Sequence, residues 1–361
     1  MPSDQGLPER EAFAERLSAS FLGYFDVLAI RLGDRLGLYR ALADGGPQTT
    51  AELAARAGIA ERYAREWLEQ QAVSGIVGVT GAGTADARFE LPPAHAEVLL
   101  DGDSLSYTMP SVRSMTILPS IFDLLVEAYQ TGGGVPWEAY GDATREGVGE
   151  GNRPRYLRVL AQDWIPAIPD VHARLRDGRP GRVADVGCGT GWSSIAFALA
   201  YPHTLVHGFD LDAASIEIAR TNATAHDVAD RVTFDARDAG EPGDAAAYDL
   251  VTFFECMHDM AHPVHALAAA RTMLADGGAV LVADEKTNDV FTGEVDDGER
   301  YHYGWSLFAC LPAAMTEPDS AGTGTVMRSA TLERYASEAG LGRFEILPVE
   351  DDAFRLYLLR P

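Results

Sequence analysis

Basic residues are scarce in this chain of 361 residues: 29 lysines and arginines stand against 54 aspartates and glutamates, a formal charge of −25. Nucleic-acid binding draws most of its affinity from cations set against phosphates. A nucleic-acid partner is therefore not expected, and an anionic membrane surface is disfavoured for the same reason. Cysteines are few as well. Cys188, Cys256 and Cys310 lie far apart with no CxxC pair, which argues against a disulfide framework or structural zinc and for a reducing compartment. Long apolar runs are missing: the stretch 21–30 is interrupted by Asp26, and nothing reaches the ~20 residues that span a bilayer. The N-terminal stretch is acidic and polar, without the charged-then-apolar pattern of a signal peptide. No internal repeat is visible. The expectation is a soluble cytoplasmic protein, with enough length for two domains at about 100–200 residues each.

What is present divides into three parts, 1–104, 105–178 and 179–361. The first reads as mainly helical. Apolar residues at helical spacing run from 21 to 42 and stop at Gly45, Gly46 and Pro47. Next come two short helices around Gly58, the first capped by Thr49 or Thr50 and the second carrying Tyr63, Trp67 and Leu68 on one side. They form a helix-turn-helix, and the glycine-punctuated stretch 76–91 that follows suits a β-hairpin wing. The part 105–178 is helical but broken by a glycine-rich loop at 132–151, a length that marks a mobile or functional segment. From 182 onward, strands alternate with helices: 183–186, 205–209, 232–234, 250–254, 280–283, 344–348 and 354–359, the last two an antiparallel pair. Such alternation implies a mostly parallel, seven-stranded α/β sheet covered on both faces, with the last strand antiparallel.

The strongest local signal is the run 182–191, RVADVGCGTG. A buried strand enters a turn with glycine at Gly187, Gly189 and Gly191, where backbone must approach a ligand closely. The dinucleotide pattern GxGxxG would need glycine at 192, where Trp192 stands. DxGxGxG, with Asp185 two residues ahead of the first glycine, suits a cationic amino-acid ligand better than a pyrophosphate. Asp210, after the second strand, is placed to accept from ribose hydroxyls, with Leu211 beside it to cover an adenine. Asp238 and Ala239, past the third strand, fit the adenine amine, and Cys188 and Glu255 complete the expected cofactor-binding set.

These motifs resemble class I S-adenosylmethionine-dependent methyltransferases over 182–361. Over nearly the whole chain, they resemble small-molecule O-methyltransferases with an N-terminal winged-helix-like domain. The stretches ECMHDM (255–260) and YGWSLFACLP (303–312) resemble an actinobacterial subgroup. The resemblance implies S-adenosyl-L-methionine as cofactor and a homodimer formed through the N-terminal domain. It places a general base at His258, with Asp259 beside it and Glu285 as the acid that orients it. Imidazole titrates near neutrality and so suits a phenolic or enolic proton. The continuation Met-Ala-His departs from the family's Trp-Ser-Asp, which leaves the base role open.

Tyr303, Trp305 and Phe308, with Trp137, Tyr140 and Trp164, are the candidate walls and lid of an apolar substrate pocket. No metal is expected; His258, Asp259 and His262 are the nearest approach to a ligand set. The expected reaction is methyl transfer to a small-molecule hydroxyl. Two rivals remain: an enzyme of this fold that uses the cofactor structurally, and a winged-helix regulator. Against the regulator, the span 49–80 holds Glu52, Glu61, Glu66 and Glu69 against only Arg56, Arg62 and Arg65, without the basic stripe that DNA reading needs.

Overall fold

The structure is a computed structural model that describes residues 7–241 and 243–361. It forms two compact units, divided between Ile117 and Leu118. In the first, a long helix, Leu7–Arg35, ends before Gly37, whose φ of 67° lets the chain turn into a second helix, Leu38–Gly45. The helical reading of 21–42 thus joins two helices across that glycine. The helix-turn-helix follows as Thr50–Ala57 and Glu61–Val73. Thr49 and Glu52 form a reciprocal capping box, and Gly58 closes the first helix in the left-handed region. Trp67 and Leu68 are buried as expected, but Tyr63 is exposed and Ala64 takes its place on the inner face. The wing is the antiparallel pair β1 (Gly78–Thr80) and β2 (Arg88–Glu90).

The second unit holds a seven-stranded sheet. Its strands are β3 (Arg182–Val186), β4 (Leu205–Asp210), β5 (Val232–Ala236), β6 (Tyr248–Phe254), β7 (Leu274–Glu285), β8 (Arg343–Ile346) and β9 (Phe354–Arg360). Their order is β5-β4-β3-β6-β7-β9-β8, parallel from β5 to β7, with β9 antiparallel to both its neighbours. β3, β6 and β7 are nearly continuous apolar runs because both faces of the sheet are covered. One core cluster gathers Ile195, Phe197, Leu250 and Leu281. The other gathers Val251, Phe253, Val280 and Leu332. Parallel strands end together, so the residues after β3, β4, β5, β6 and β7 share one edge of the sheet, and that edge carries the site.

Of the glycine-rich segment 132–151, only residues 132–136 are a loop. Residues Gly141–Arg155 form a helix, preceded by a short turn of helix at Trp137–Tyr140 and continued by a π-helical stretch, Tyr156–Trp164. Glycine's low helix propensity is overridden here by packing. A Cβ at Gly149 would lie 2.0 Å from Thr190 Oγ1, so only glycine lets this helix sit against the loop after β3.

Candidate active site

The loop after β3 is built on close contacts. A Cβ at Gly187 would lie 2.6 Å from Cys256 Sγ, and one at Gly191 would lie 2.8 Å from both Ala219 and Phe234. All three glycines have positive φ. At Gly189, by contrast, an added Cβ would meet nothing within 4 Å. The first and third glycines are required by protein packing, whereas the middle one faces open space, as a ligand cradle requires. Cys188 is buried between them, and burial pushes its thiol well above the usual range. It is a packing residue at this loop.

The acids of the cofactor set are placed unequally. Asp210, at the tip of β4, accepts from Gly189 N at 2.8 Å and from Asp212 N at 2.9 Å, fixing the loop while remaining half-buried at its rim. Leu211 beside it is 67% exposed, free to cover a ring. Asp238 is exposed past β5 and accepts from Gly240 N at 2.7 Å; Ala239 next to it is half-buried. Asp185 is held by the protein itself. Its carboxylate is buried and accepts from the hydroxyls of Ser193 (2.6 Å), Ser194 (2.6 Å) and Thr252 (2.7 Å). It ties β3 to β6 and to the helix Trp192–Ala200, and any contact with a ligand ammonium has to compete with three hydroxyls.

After β6, Glu255 takes a φ of 52°, which costs a non-glycine residue strain of the kind concentrated at functional sites. Its side chain accepts from Asn152 Nδ2 of the helix Gly141–Arg155. The turn Met257–Asp259 then brings His258 into the interior. Its Nδ1 lies 2.7 Å from Asp284 Oδ1 and its Nε2 3.2 Å from Asp259 Oδ1. Burial alone would lower the imidazole pKa. The adjacent charges of Asp259 and Asp284 outweigh it and raise His258 well above its usual value.

The acid that orients His258 is Asp284, not Glu285. Successive strand residues point to opposite faces, and at the end of β7 Asp284 takes the His258 side. Glu285 instead lies 3.6 Å from His302 Nδ1. Burial is the largest cause raising both glutamates, and Glu255 reaches about 7. Cys310 also faces His258. Its Sγ, His258 and Asp259 offer ligand-type atoms within 4.8 Å of one another. Burial, then Asp259, pushes the Cys310 thiol up to about 12, so the trio stands as proton donors and acceptors of one group. The ligand set read from sequence had His262 in the place of Cys310; His262 instead pairs with Glu317 at 3.3 Å.

Of the aromatic pocket candidates, two are core residues. Trp164 is fully buried against Tyr156, Phe254 and Phe354. Tyr140 is 1% exposed and donates to Phe308 O at 2.9 Å. Neither is part of a lid. Trp137 and Trp305 pack at the margin of Tyr140's cluster. Tyr303 stands edge-on to Phe291 and accepts from Arg328 at 3.4 Å, and Phe308 is 37% exposed. Asn152, His302 and Tyr156 were not among the candidates. Asn152 lies in the segment read as a loop, and the other two carry no motif.

Residues 179–333 match the family model of a methyltransferase domain, and residues 26–100 that of an Rv2258c-like winged HTH domain. Similar sequences include the 27-O-demethylrifamycin SV methyltransferase of Amycolatopsis mediterranei, 29% identical over 42% of this chain and 57% of that one. Another is a ubiquinone biosynthesis O-methyltransferase of Burkholderia pseudomallei, 29% identical over 53% and 74%. The chain spans 57% and 53% of the lengths of the first two curated relatives it matches. Among solved structures, the mitomycin 7-O-methyltransferase MmcR aligns with a TM-score of 0.73 at 20% identity, covering 98% of this chain and 99% of its own. Human N-acetylserotonin methyltransferase in complex with SAM aligns at 0.68 and 16% identity, over 100% and 99%. At these identities the likeness concerns the fold. The chain thus carries a winged helix-turn-helix domain ahead of a methyltransferase domain, and the glycine loop and strand-end acids described above lie within the latter.

Proposed function

We propose that this chain catalyses methyl transfer from S-adenosylmethionine to a hydroxyl oxygen of a small molecule, with His258 accepting the proton. The observation that carries the reading is the placement of the Asp284–His258 pair at the same sheet edge as the open face of Gly189. Asp210, Leu211, Asp238, Ala239 and the loop backbone would hold the nucleoside. Bound there, it supplies an electrophilic methyl group. Asp284 fixes the imidazole through Nδ1, so proton exchange with an acceptor falls to Nε2 once Asp259 yields its contact. Oxygen as the acceptor atom follows the relatives, whose names specify O-methylation. The rifamycin and ubiquinone of their names favour an aromatic or natural-product substrate, against which Tyr303, Trp305 and Phe308 would form an apolar wall.

The winged-helix unit is assigned to self-association rather than to DNA. Three arginines of the helix-turn-helix and wing pair with its own acids: Arg62 with Glu66, Arg65 with Glu61, Arg88 with Glu52. No helix among the described residues is long and apolar enough to cross a membrane, in keeping with a proposed cytoplasmic location. Calorimetry tests the core of the reading. S-adenosylhomocysteine should bind with affinity in the micromolar range, and Asp210→Ala should abolish binding. Unchanged affinity in that variant would overturn the assignment.

A further inference from the structure

The surroundings of His258 hold more than proton abstraction uses. Gly324 N donates to His258 O at 3.1 Å, and a Cβ at Gly324 would lie 2.5 Å from Ser306 Oγ. Ser306 opens the π-helical stretch Ser306–Cys310, which follows the helix Asp297–Trp305 and in which Leu311 N donates to Ser306 O. Such widened turns are frequent at functional sites. At its end Cys310 joins His258 and Asp259, each offering a ligand-type atom within 4.8 Å of the others. Hydrogen bonding does not explain this gathering. His258 Nε2 and Asp259 Oδ1 are 3.2 Å apart, yet the buried Oδ1 accepts no hydrogen bond. The two atoms point beside each other rather than along a shared N–H. Thr325, 2% exposed and next to Gly324, also has a hydroxyl with no partner. Polar atoms buried in this way need something further to bind.

We propose that His258, Asp259 and Cys310 form a binding site for a zinc-class divalent cation, with the fourth position left to water. Imidazole with thiolate selects zinc-class ions over magnesium or calcium, which prefer oxygen. Two ligands at about 2.0–2.2 Å from a tetrahedral ion lie about 3.3–3.6 Å from each other, and Nε2 and Oδ1 already stand at 3.2 Å. The other ring nitrogen is held as metal-binding histidines require. Nδ1 lies 2.7 Å from the buried carboxylate of Asp284, the arrangement that fixes the ring and aims Nε2 at a metal. On binding, bonds form from the cation to Nε2, Oδ1 and Sγ, and the protons of Sγ and Nε2 leave to solvent. Asp284 stays on Nδ1. Cys310 lies 51 positions beyond Asp259, so no local spacing announces the set. The site goes beyond the methyl-transfer reading: the cation takes the lone pair that accepting a substrate proton needs, so metal-loaded and base-active forms exclude each other.

Cobalt(II), the spectroscopic stand-in for zinc, tests this on the full chain after treatment with a chelator. Neither nucleoside nor substrate is present, so the outcome is independent of the methyl-transfer reading. One equivalent should produce a thiolate-to-metal charge-transfer band in the near ultraviolet and the visible bands of a four-coordinate ion, and zinc should abolish both. Cys310→Ser should remove the charge-transfer band. Asp284→Asn leaves all three ligand atoms in place and should weaken zinc by about 10–100-fold, read by competition with a chromophoric chelator. A site elsewhere on the chain would not feel that change. Asp259→Asn should weaken zinc at least as far and serves if Cys310→Ser fails to fold. The proposal is overturned by the absence of a charge-transfer band in the unsubstituted protein or by a band that persists in Cys310→Ser. Zinc affinity indifferent to both carboxamide substitutions overturns it equally.

Discussion

His258 shows how little a residue's type says about its working state. A histidine clamped between Asp284 at Nδ1 and Asp259 at Nε2 has its pKa raised, so it stays protonated above its ordinary titration range. An imidazolium cannot accept a proton. Activity that depends on it as a base must therefore rise with pH through the raised pKa, and be lost below it. The acidic limb of kcat/KM should lie above the usual value of about 6.5 for histidine. Asp259→Asn should move that limb to lower pH by removing one of the two charges. Asp284→Asn should move it too, and should also lower kcat because the ring loses its anchor. His258→Ala should cost ~10²–10⁴-fold in turnover, the usual worth of general-base help, with S-adenosylhomocysteine affinity nearly intact. A limb that ignores Asp259→Asn would show that the ring is not the titrating group. At this scale the sequence was half legible. The His-Asp motif pointed to the turn that carries the buried His258, but which acid contacts it, Asp284 or Glu285, depends on which face each takes at the end of β7. That strand runs 12 residues with a register shift against β6, and adjacent acids look alike without it.

Among the elements, the helix Gly141–Arg155 most clearly set propensity against packing. Its sequence, with Gly147, Gly149, Gly151 and Pro154, looks like a loop because each of those residues disfavours a helix taken alone. The contact that selects glycine at 149 comes from Thr190, 41 positions along the chain, and no local pattern reports it. The strands were readable for the converse reason: a parallel sheet covered on both faces writes its burial into uninterrupted apolar runs. The glycine loop was readable because its constraint is local backbone conformation. The two accounts of Gly149 predict opposite signs for one substitution. By propensity, Gly149→Ala should stabilise the helix by about 1 kcal/mol. By packing, the new Cβ meets Thr190 at Oγ1 (2.0 Å), Cβ (3.1 Å) and Cγ2 (3.3 Å), so the hydroxyl of that buried side chain must turn away and the Cβ contact stays tight even then. Packing should win. Gly149→Ala should lower the thermal midpoint and weaken S-adenosylhomocysteine binding, because the helix and the cofactor loop must part. Thr190→Ala in the same background should recover part of both. A more stable single variant with unchanged affinity would show that the contact does not position the loop.

For the molecule as a whole, the open question is what covers the first helix. Along Leu7–Arg35, Phe13, Leu17, Phe21, Phe25, Leu28 and Leu32 recur at helical spacing, and all are exposed; Phe21 and Phe25 reach 60% and 62%. Single exposed apolar residues are ordinary, but a stripe over most of a 29-residue helix is not what a soluble monomer leaves in water. The strong net negative charge of the chain opposes close approach of two copies at low ionic strength and is screened by salt. An apolar interface, by contrast, is not weakened by salt. These two effects fix the expected behaviour. Sedimentation should give a dimer whose association tightens as salt is raised toward physiological strength, the reverse of an interface held by ion pairs. Phe21→Asp with Phe25→Asp places two charges in the middle of the stripe and should yield monomers that retain the helical signal of the parent. A monomer in the unsubstituted chain across concentrations, or a dimer indifferent to the double substitution, would move self-association to another surface.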